Sequence, residues 1–142
     1  MITTIKLKTN EKTEFIDITK DVNPFTINVK EGFVIISTQH TTTGLWINEF
    51  EKGLINDLKT KLEILFPSTH YYEHDDFKKR ICPENERRNG FSHLKSTFFQ
   101  NSLIIPINSG KLALGKYQSV IFVELDGPRE EREVIIQTCE TK

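Results

Sequence analysis

The sequence predicts one α+β domain over residues 1–142, in which a mostly antiparallel mixed β-sheet carries two main helices. Three observations predict this fold class. Short β-branched runs alternate with turn signals, one long segment repeats its apolar residues at helical spacing, and the length suits a single hydrophobic core. Hydrophobic residues form 37% of the chain and charged residues 27%, a balance typical of globular proteins and not of disordered ones.

The first third of the chain carries strand patterns. Residues 2–9 alternate apolar and polar side chains, which predicts a strand with one solvated face. Residues 10–12 predict a hairpin turn into a second strand from residue 15. The residues after Pro24 fit either a strand or a short helix, and we favour the helix. The β-branched run at 33–36 predicts a buried strand that leads directly to His40.

The rest of the chain supplies the two main helices. Residues 50–66 repeat apolar side chains at helical spacing until Pro67 ends the segment. Residues 68–88 are rich in charge and poor in aliphatic side chains, which predicts a long surface loop of the kind that is usually functional or disordered. A second helix is predicted over 91–99. Strands are predicted over 102–107, 120–125 and 133–138, with a turn at 108–110.

Charge and hydropathy argue against nucleic-acid and membrane partners. Nineteen Lys and Arg against twenty Asp and Glu leave a formal net charge of −1, so no overall positive field attracts polyanions. No apolar run is long enough to span a bilayer, and the first residues lack a signal-peptide pattern, so we expect a cytoplasmic protein. Cys82 and Cys139 lack metal-ribbon spacing and are expected to be reduced.

Residues 40–49 form the first segment that can carry chemistry. His40 is followed by Thr41, Thr42, Thr43 and Gly44, so hydroxyls and backbone N–H groups can be presented to an oxyanion. A simple threonine-rich turn is the alternative, and spacing alone favours it.

Histidines form the second candidate. His40, His74 and His93 can together make a three-histidine site for a catalytic divalent metal, and Asp75 can orient one of the imidazoles. The alternative is three unrelated histidines, because sequence spacing does not show that they converge. Nothing around His70 adds a role for it.

Residues 124–129 end an apolar strand with a carboxylate, a turn and a guanidinium. Arg129 can bind phosphate, and Asp126 can act as a base or a metal ligand. The alternative is a surface hairpin in which Asp126 and Arg129 pair with each other. The basic runs at 78–80 and 87–88 are interpreted as solvated charge. The phosphate-loop and serine-elbow motifs of nucleotide hydrolases and serine esterases are absent from the sequence.

Three motifs in fixed order, at residues 40–49, 110–118 and 124–129, resemble those of the YjbQ-like family, also called the secondary thiamine-phosphate synthase family. The resemblance covers essentially the whole chain. The segment from His74 to His93 is similar to the longer-loop branch of that family. Trp46 and Tyr117 depart from the family pattern, where Thr and Trp are usual, which bears on the shape of the substrate.

The resemblance implies a homotrimer with a metal held by His40, His74 and His93, which we expect to be zinc, with magnesium as the alternative for diphosphate chemistry. It also implies catalytic roles for Glu49, Asp126 and Arg129. Phosphate would be bound by Thr41, Thr42, Thr43 and Arg129.

The resulting hypothesis is a metal-binding enzyme acting on a small phosphorylated metabolite, with weak thiamine-phosphate synthase activity as a transferase. That chemistry needs groups that stabilise a leaving pyrophosphate and a pocket that shields a pyrimidine cation, for which Trp46 is a candidate. One alternative is a non-catalytic trimer that binds a metabolite or a metal, and another is a purely structural trimer.

Overall fold

In a computed structural model that describes residues 1–141, the chain forms two β-sheets and three α-helices. The strands are β1 (Ile2–Thr9), β2 (Glu14–Asp17), β3 (Glu31–Thr38), β4 (Thr43–Asn48), β5 (Ser102–Asn108), β6 (Lys111–Leu112), β7 (Ser119–Glu124) and β8 (Arg129–Glu140). The helices are α1 (Thr19–Val22), α2 (Lys52–Leu65) and α3 (Gly90–Ser96), with single 3₁₀ turns at Asn23–Phe25 and Glu73–Asp75.

The strands divide into a five-stranded sheet in the order β1-β8-β3-β5-β6 and a three-stranded sheet in the order β2-β7-β4. Every strand pairing within residues 1–141 is antiparallel. The predicted α+β class is therefore confirmed.

β7 is the middle element of the structure and is buried on both faces. Val120 and Phe122 pack toward the five-stranded sheet, against residues such as Ile36 and Ile136. Ile121 and Val123, which alternate with Phe122, pack on the other face, under α2. This double burial explains why residues 120–123 form a continuous apolar run instead of alternating with polar residues.

α2 covers the three-stranded sheet and confirms the predicted first main helix. It begins after Glu51, whose carboxylate accepts hydrogen bonds from the N–H groups of Gly53 at 2.7 Å and Leu54 at 2.8 Å and so satisfies two free helix-end donors. Leu62 is its one fully buried residue. None of the helices within residues 1–141 has the length and apolar composition that crossing a bilayer requires.

Two expected local connections are wrong. β1 pairs with β8 while β2 pairs with β7, so residues 10–12 join two sheets and do not form a hairpin. β7 and β8 likewise lie in different sheets, so residues 126–129 form a crossover. The short helix expected after Pro24 lies earlier, over residues 19–25. Turn residues signal a change of direction, but they do not specify which strand is the partner.

Candidate functional site

A polar cavity of about 430 Å³ opens at the end of the sandwich where β3 and β7 finish and β4 and β8 begin. Loop 39–42, residues 126–132 and the segment from His74 to His93 contribute its walls. The predicted site residues that line it are His40, Thr41, Thr42, His74, His93, Asp126 and Arg129. The fold therefore brings most of the candidate chemistry of distant segments to one place.

Arg132 and Glu124 form a buried ion pair at this end of the core, and neither was singled out as a site residue from the sequence. The Arg132 Nε and Nη2 atoms each donate to a carboxylate oxygen of Glu124 at 2.7 Å. Glu124 is 0% exposed, and Thr9 and the N–H groups of Leu125 and Asp126 also donate to it. These donors satisfy the buried carboxylate, which in turn fixes the direction of the guanidinium.

The remaining guanidinium nitrogen of Arg132, Nη1, has no hydrogen-bond partner in residues 1–141. Arg132 is 6% exposed and lines the cavity. The Nη1 atom is also not fully buried. Because Arg132 lines the cavity, Nη1 can therefore donate to an anion there.

Asp126 and Arg129 pair with each other, as the surface-hairpin alternative proposed, but the Asp126 carboxylate is buried whereas the Arg129 side chain is 34% exposed. Arg129 Nη2 donates to Asp126 Oδ2 at 2.6 Å, and Asp126 is 3% exposed. Asn89 Nδ2 donates to the same carboxylate oxygen at 3.0 Å. Asn89 Oδ1 is buried and has no hydrogen-bond partner among residues 1–141. The amide orientation is fixed, since a flipped amide would place its oxygen against the carboxylate.

His40 lies in the loop between β3 and β4, and its ring accepts a hydrogen bond from the backbone of β8 just beyond the end of the β3–β8 ladder. The β3–β8 ladder ends at the pair Thr38 and Val134, and the next N–H on β8, that of Glu133, donates to His40 Nε2 at 3.0 Å. Burial, and then the charge of Arg132, lowers the pKa of His40. The ring is therefore neutral at pH 7 and carries its proton on Nδ1.

His74 and His93 are neighbours across the cavity wall. Their ring centroids are 4.5 Å apart in an edge-to-face arrangement. Arg80 Nε donates to the His74 carbonyl oxygen at 2.8 Å, which positions a guanidinium beside the His74 ring. Burial, and then the neighbouring His74, lowers the pKa of His93.

Asp75 has a structural role that differs from the expected one. Its Oδ1 atom accepts the N–H groups of Asn89 at 2.9 Å and Gly90 at 3.0 Å, at the start of α3. It therefore ties the His74 loop to α3 and does not orient an imidazole.

The positions of the three histidines test whether they can form the predicted metal site. Within residues 1–141, no three His, Cys, Asp or Glu side chains converge in an arrangement that could hold a metal ion. His74 and His93 are close together, but the Nε2 lone pair of His40 is already used by the Glu133 N–H. The three-histidine centre does not fit this arrangement, and the divalent metal stays a prediction.

The remaining predicted residues divide into three positions. Thr41 is exposed at the cavity rim, and Thr42 Oγ1 accepts a hydrogen bond from Arg132 Nη2 at 3.2 Å. Thr43 is buried away from the cavity, where its hydroxyl contacts Thr38 and donates to the His40 carbonyl. Glu49 is exposed beyond the far end of the six-residue β4, about 20 Å along the strand from the cavity. It does not join Asp126 and Arg129 in this chain.

The basic loop contributes more than solvated charge. Arg80 and Glu86 line the cavity. The Arg87 Nε atom lies 3.6 Å from Asp126 Oδ1, and its Nη2 donates to the Gly127 carbonyl. The sequence did not indicate that these loop side chains reach the cavity, because side chains in a loop have no periodicity that reveals their direction. By contrast, the burial of Glu124 was detectable, since a charge inside an apolar strand requires a partner.

These features define a class of protein: a two-sheet α+β domain with a polar cavity that contains arginines and histidines at one end of its core. Over residues 3–141 the chain matches the family model described as UPF0047 protein YjbQ-like. The chain belongs to the YjbQ-like UPF0047 family.

Similar proteins extend over nearly the whole chain. A UPF0047 protein from Archaeoglobus fulgidus is 40% identical over 131 residues, covering 92% of this chain and 96% of that one. A crystal structure from Sulfolobus solfataricus, described as a YbjQ-like protein of unknown function, has a TM-score of 0.88 at 29% identity and covers 99% and 97% of the two chains. An uncharacterised protein of the same family from Clostridium acetobutylicum has a TM-score of 0.84 at 31% identity, covering 96% and 99%.

Proposed function

We propose that the chain is an enzyme that binds a small phosphorylated metabolite in the cavity that contains Arg132. One observation carries the proposal: Glu124 fixes Nε and Nη2 of Arg132, which lines the cavity, while Nη1 makes no hydrogen bond within residues 1–141. Arg80 and Arg129 also line the cavity. The charges of these three guanidiniums are balanced by Glu86, Asp126 and Glu124, but their N–H groups supply the donors that a phosphate group requires.

The reaction that we propose to test first is weak thiamine-phosphate synthesis. In it, a thiazole nitrogen forms a bond to the pyrimidine methylene carbon while the carbon–oxygen bond to diphosphate breaks. Pyrophosphate leaves with the electron pair, and Arg129 and Arg132 would stabilise its charge.

The structure does not support the expected role of Trp46 in shielding the pyrimidine cation. Trp46 packs edge-to-face against Phe15 and Phe99, with ring centroids 6.1 Å from each, on the α2 side of β7. It does not line the cavity, so it does not shield a pyrimidine cation from water there. An open, polar cavity is in keeping with a weak side activity and a different main substrate.

A non-catalytic metabolite-binding protein is the second candidate function, and one observation favours it. The Asp126 carboxylate is engaged by Arg129 and Asn89, and the predicted acid Glu49 lies away from the cavity. Stoichiometric binding of phosphorylated compounds without any product would select this candidate.

Calorimetric titration with inorganic phosphate, pyrophosphate and a panel of phosphorylated metabolites tests the proposed function. We expect Arg129→Met to weaken binding at least tenfold, because it removes a cavity cation. Lys61→Met, which removes an exposed charge on α2, is the matched control and should bind like the wild type. Turnover is measured as release of phosphate or pyrophosphate. Absence of binding by the wild type across the whole panel would overturn the proposal.

We also propose that the chain forms a homotrimer through the outer face of the five-stranded sheet. On this face Ile35 of β3 pairs with Ile104 of β5, and Phe33 pairs with Pro106. Ile104 is 67% exposed, whereas the alternating residue Ile105 is buried in the core. Burying such an apolar sheet face against copies of the chain would stabilise an oligomer.

A further inference from the structure

We infer that His40 is a neutral hydrogen-bond donor that presents its Nδ1–H to a phosphoryl oxygen of the ligand, and that it is not a metal ligand. The inference rests on the proposed function for its ligand class. Its geometric basis is the hydrogen bond of 3.0 Å from the Glu133 N–H to His40 Nε2.

The direction of that hydrogen bond fixes the tautomer. A backbone N–H only donates, so His40 Nε2 must supply a lone pair and carries no proton. The ring then holds its single proton on Nδ1. A metal at Nε2 would displace the Glu133 N–H from its partner, and a metal at Nδ1 would require removal of that proton.

The Nδ1–H group is available to a ligand. Within residues 1–141, His40 Nδ1 makes no hydrogen bond, and it is not fully buried. His40 lines the same cavity as Arg132, whose Nη1 is also free of partners within the described chain. Thr42, which also lines the cavity, already accepts a hydrogen bond from Arg132 Nη2.

Together, His40 and Arg132 form an oxyanion subsite of defined character. The guanidinium supplies charge, and the imidazole supplies one directed donor that adds no charge. Such a pair recognises a tetrahedral phosphoryl group, and the shared ligand chemistry is that of inorganic phosphate, pyrophosphate and phosphate esters. Phosphate and pyrophosphate are therefore sufficient probes.

Long-range ¹H–¹⁵N NMR on the imidazole nitrogens tests the tautomer directly, without any activity. We expect His40 to be the Nδ1–H form in the apoprotein and to keep that form during a zinc titration. An Nε2–H form, or a His40 signal that changes in proportion to bound zinc, would overturn the inference whether or not phosphate binds.

Two variants then test the donor. His40→Gln keeps an acceptor for the Glu133 N–H and so preserves the fold, but it lacks the Nδ1 donor; we expect about tenfold weaker pyrophosphate binding. His40→Asn keeps a donor near the Nδ1 position and should retain most of the affinity. If the wild type binds pyrophosphate and His40→Gln binds it equally well, the inference fails and the proposed function stands. If the wild type binds no phosphate compound, the proposed function fails, whatever the tautomer.

Discussion

Glu124 of the three-stranded sheet and Arg132 of the five-stranded sheet form a two-pronged ion pair, with both nitrogen–oxygen distances at 2.7 Å. One interaction therefore both joins the two sheets and holds a guanidinium in the cavity wall.

Removing the carboxylate should be strongly destabilising. Glu124→Ala leaves the Arg132 charge and the N–H groups of Leu125 and Asp126 without their acceptor, and we expect a loss of about 3–5 kcal/mol in the free energy of unfolding. Urea denaturation measures it. Glu130→Ala, which breaks an exposed ion pair with Lys8, is the control and should change little. Equal losses in the two variants would contradict a structural role for the buried pair.

Stability should decline as the pH falls through about 6.5, the ordinary pKa of histidine. Burial lowers the pKa of His40 and His93 in the folded chain, so the unfolded chain binds protons more readily in this range. Unfolding is then favoured as pH decreases. Melting temperatures between pH 8 and 5 measure the slope, and His93→Gln should flatten it. A slope that is unchanged in that variant would contradict a contribution from His93.

Elemental analysis of the purified protein tests the predicted divalent metal. If zinc or magnesium is bound, His74→Ala and His93→Ala should each lower the metal content, because these rings are neighbours at 4.5 Å. His70→Ala is the matched control, since His70 is exposed and lies outside the cavity lining. Removal of a bound metal should also lower the melting temperature. Metal-free wild-type protein would end the prediction.

Light scattering tests the proposed trimer and its contact face. Ile104→Lys places a charge on the outer face of the five-stranded sheet and should yield monomers. Ile27→Lys is a control of equal exposure, because both isoleucines are 67% exposed and Ile27 lies elsewhere, after α1. The variant at Ile27 should remain trimeric. A monomeric wild type, or a trimeric Ile104→Lys variant, would contradict the proposal.

Periodicity in the sequence was enough to predict most elements. The strand patterns correspond to β1, β3, β5, β7 and β8, and residues 50–66 contain α2. Pairing was not predictable in the same way, because β1 meets β8 across nearly the full length of the chain. Such contacts depend on global packing and not on local turn residues.

The site was predictable only in part, for similar reasons. The residues of the motif at 40–49 do not all reach the cavity, because β4 runs through the motif. Thr42 lines the cavity, Thr43 is buried away from it, and Glu49 lies past the far end of β4. Arg132 was detectable in principle, because it alternates with the inward-facing Val134 and Ile136 on β8. The loop arginines Arg80 and Arg87 carry no such pattern.

The two walls of the cavity differ in how freely they can change. Glu124 ends β7, a strand that is buried on both faces, and Asp126 follows it, so a substitution at either residue disturbs the packed core. The facing wall, residues 74–88, is loop apart from one 3₁₀ turn. Substitutions in the loop can therefore change the shape and charge of the cavity while the core wall stays the same.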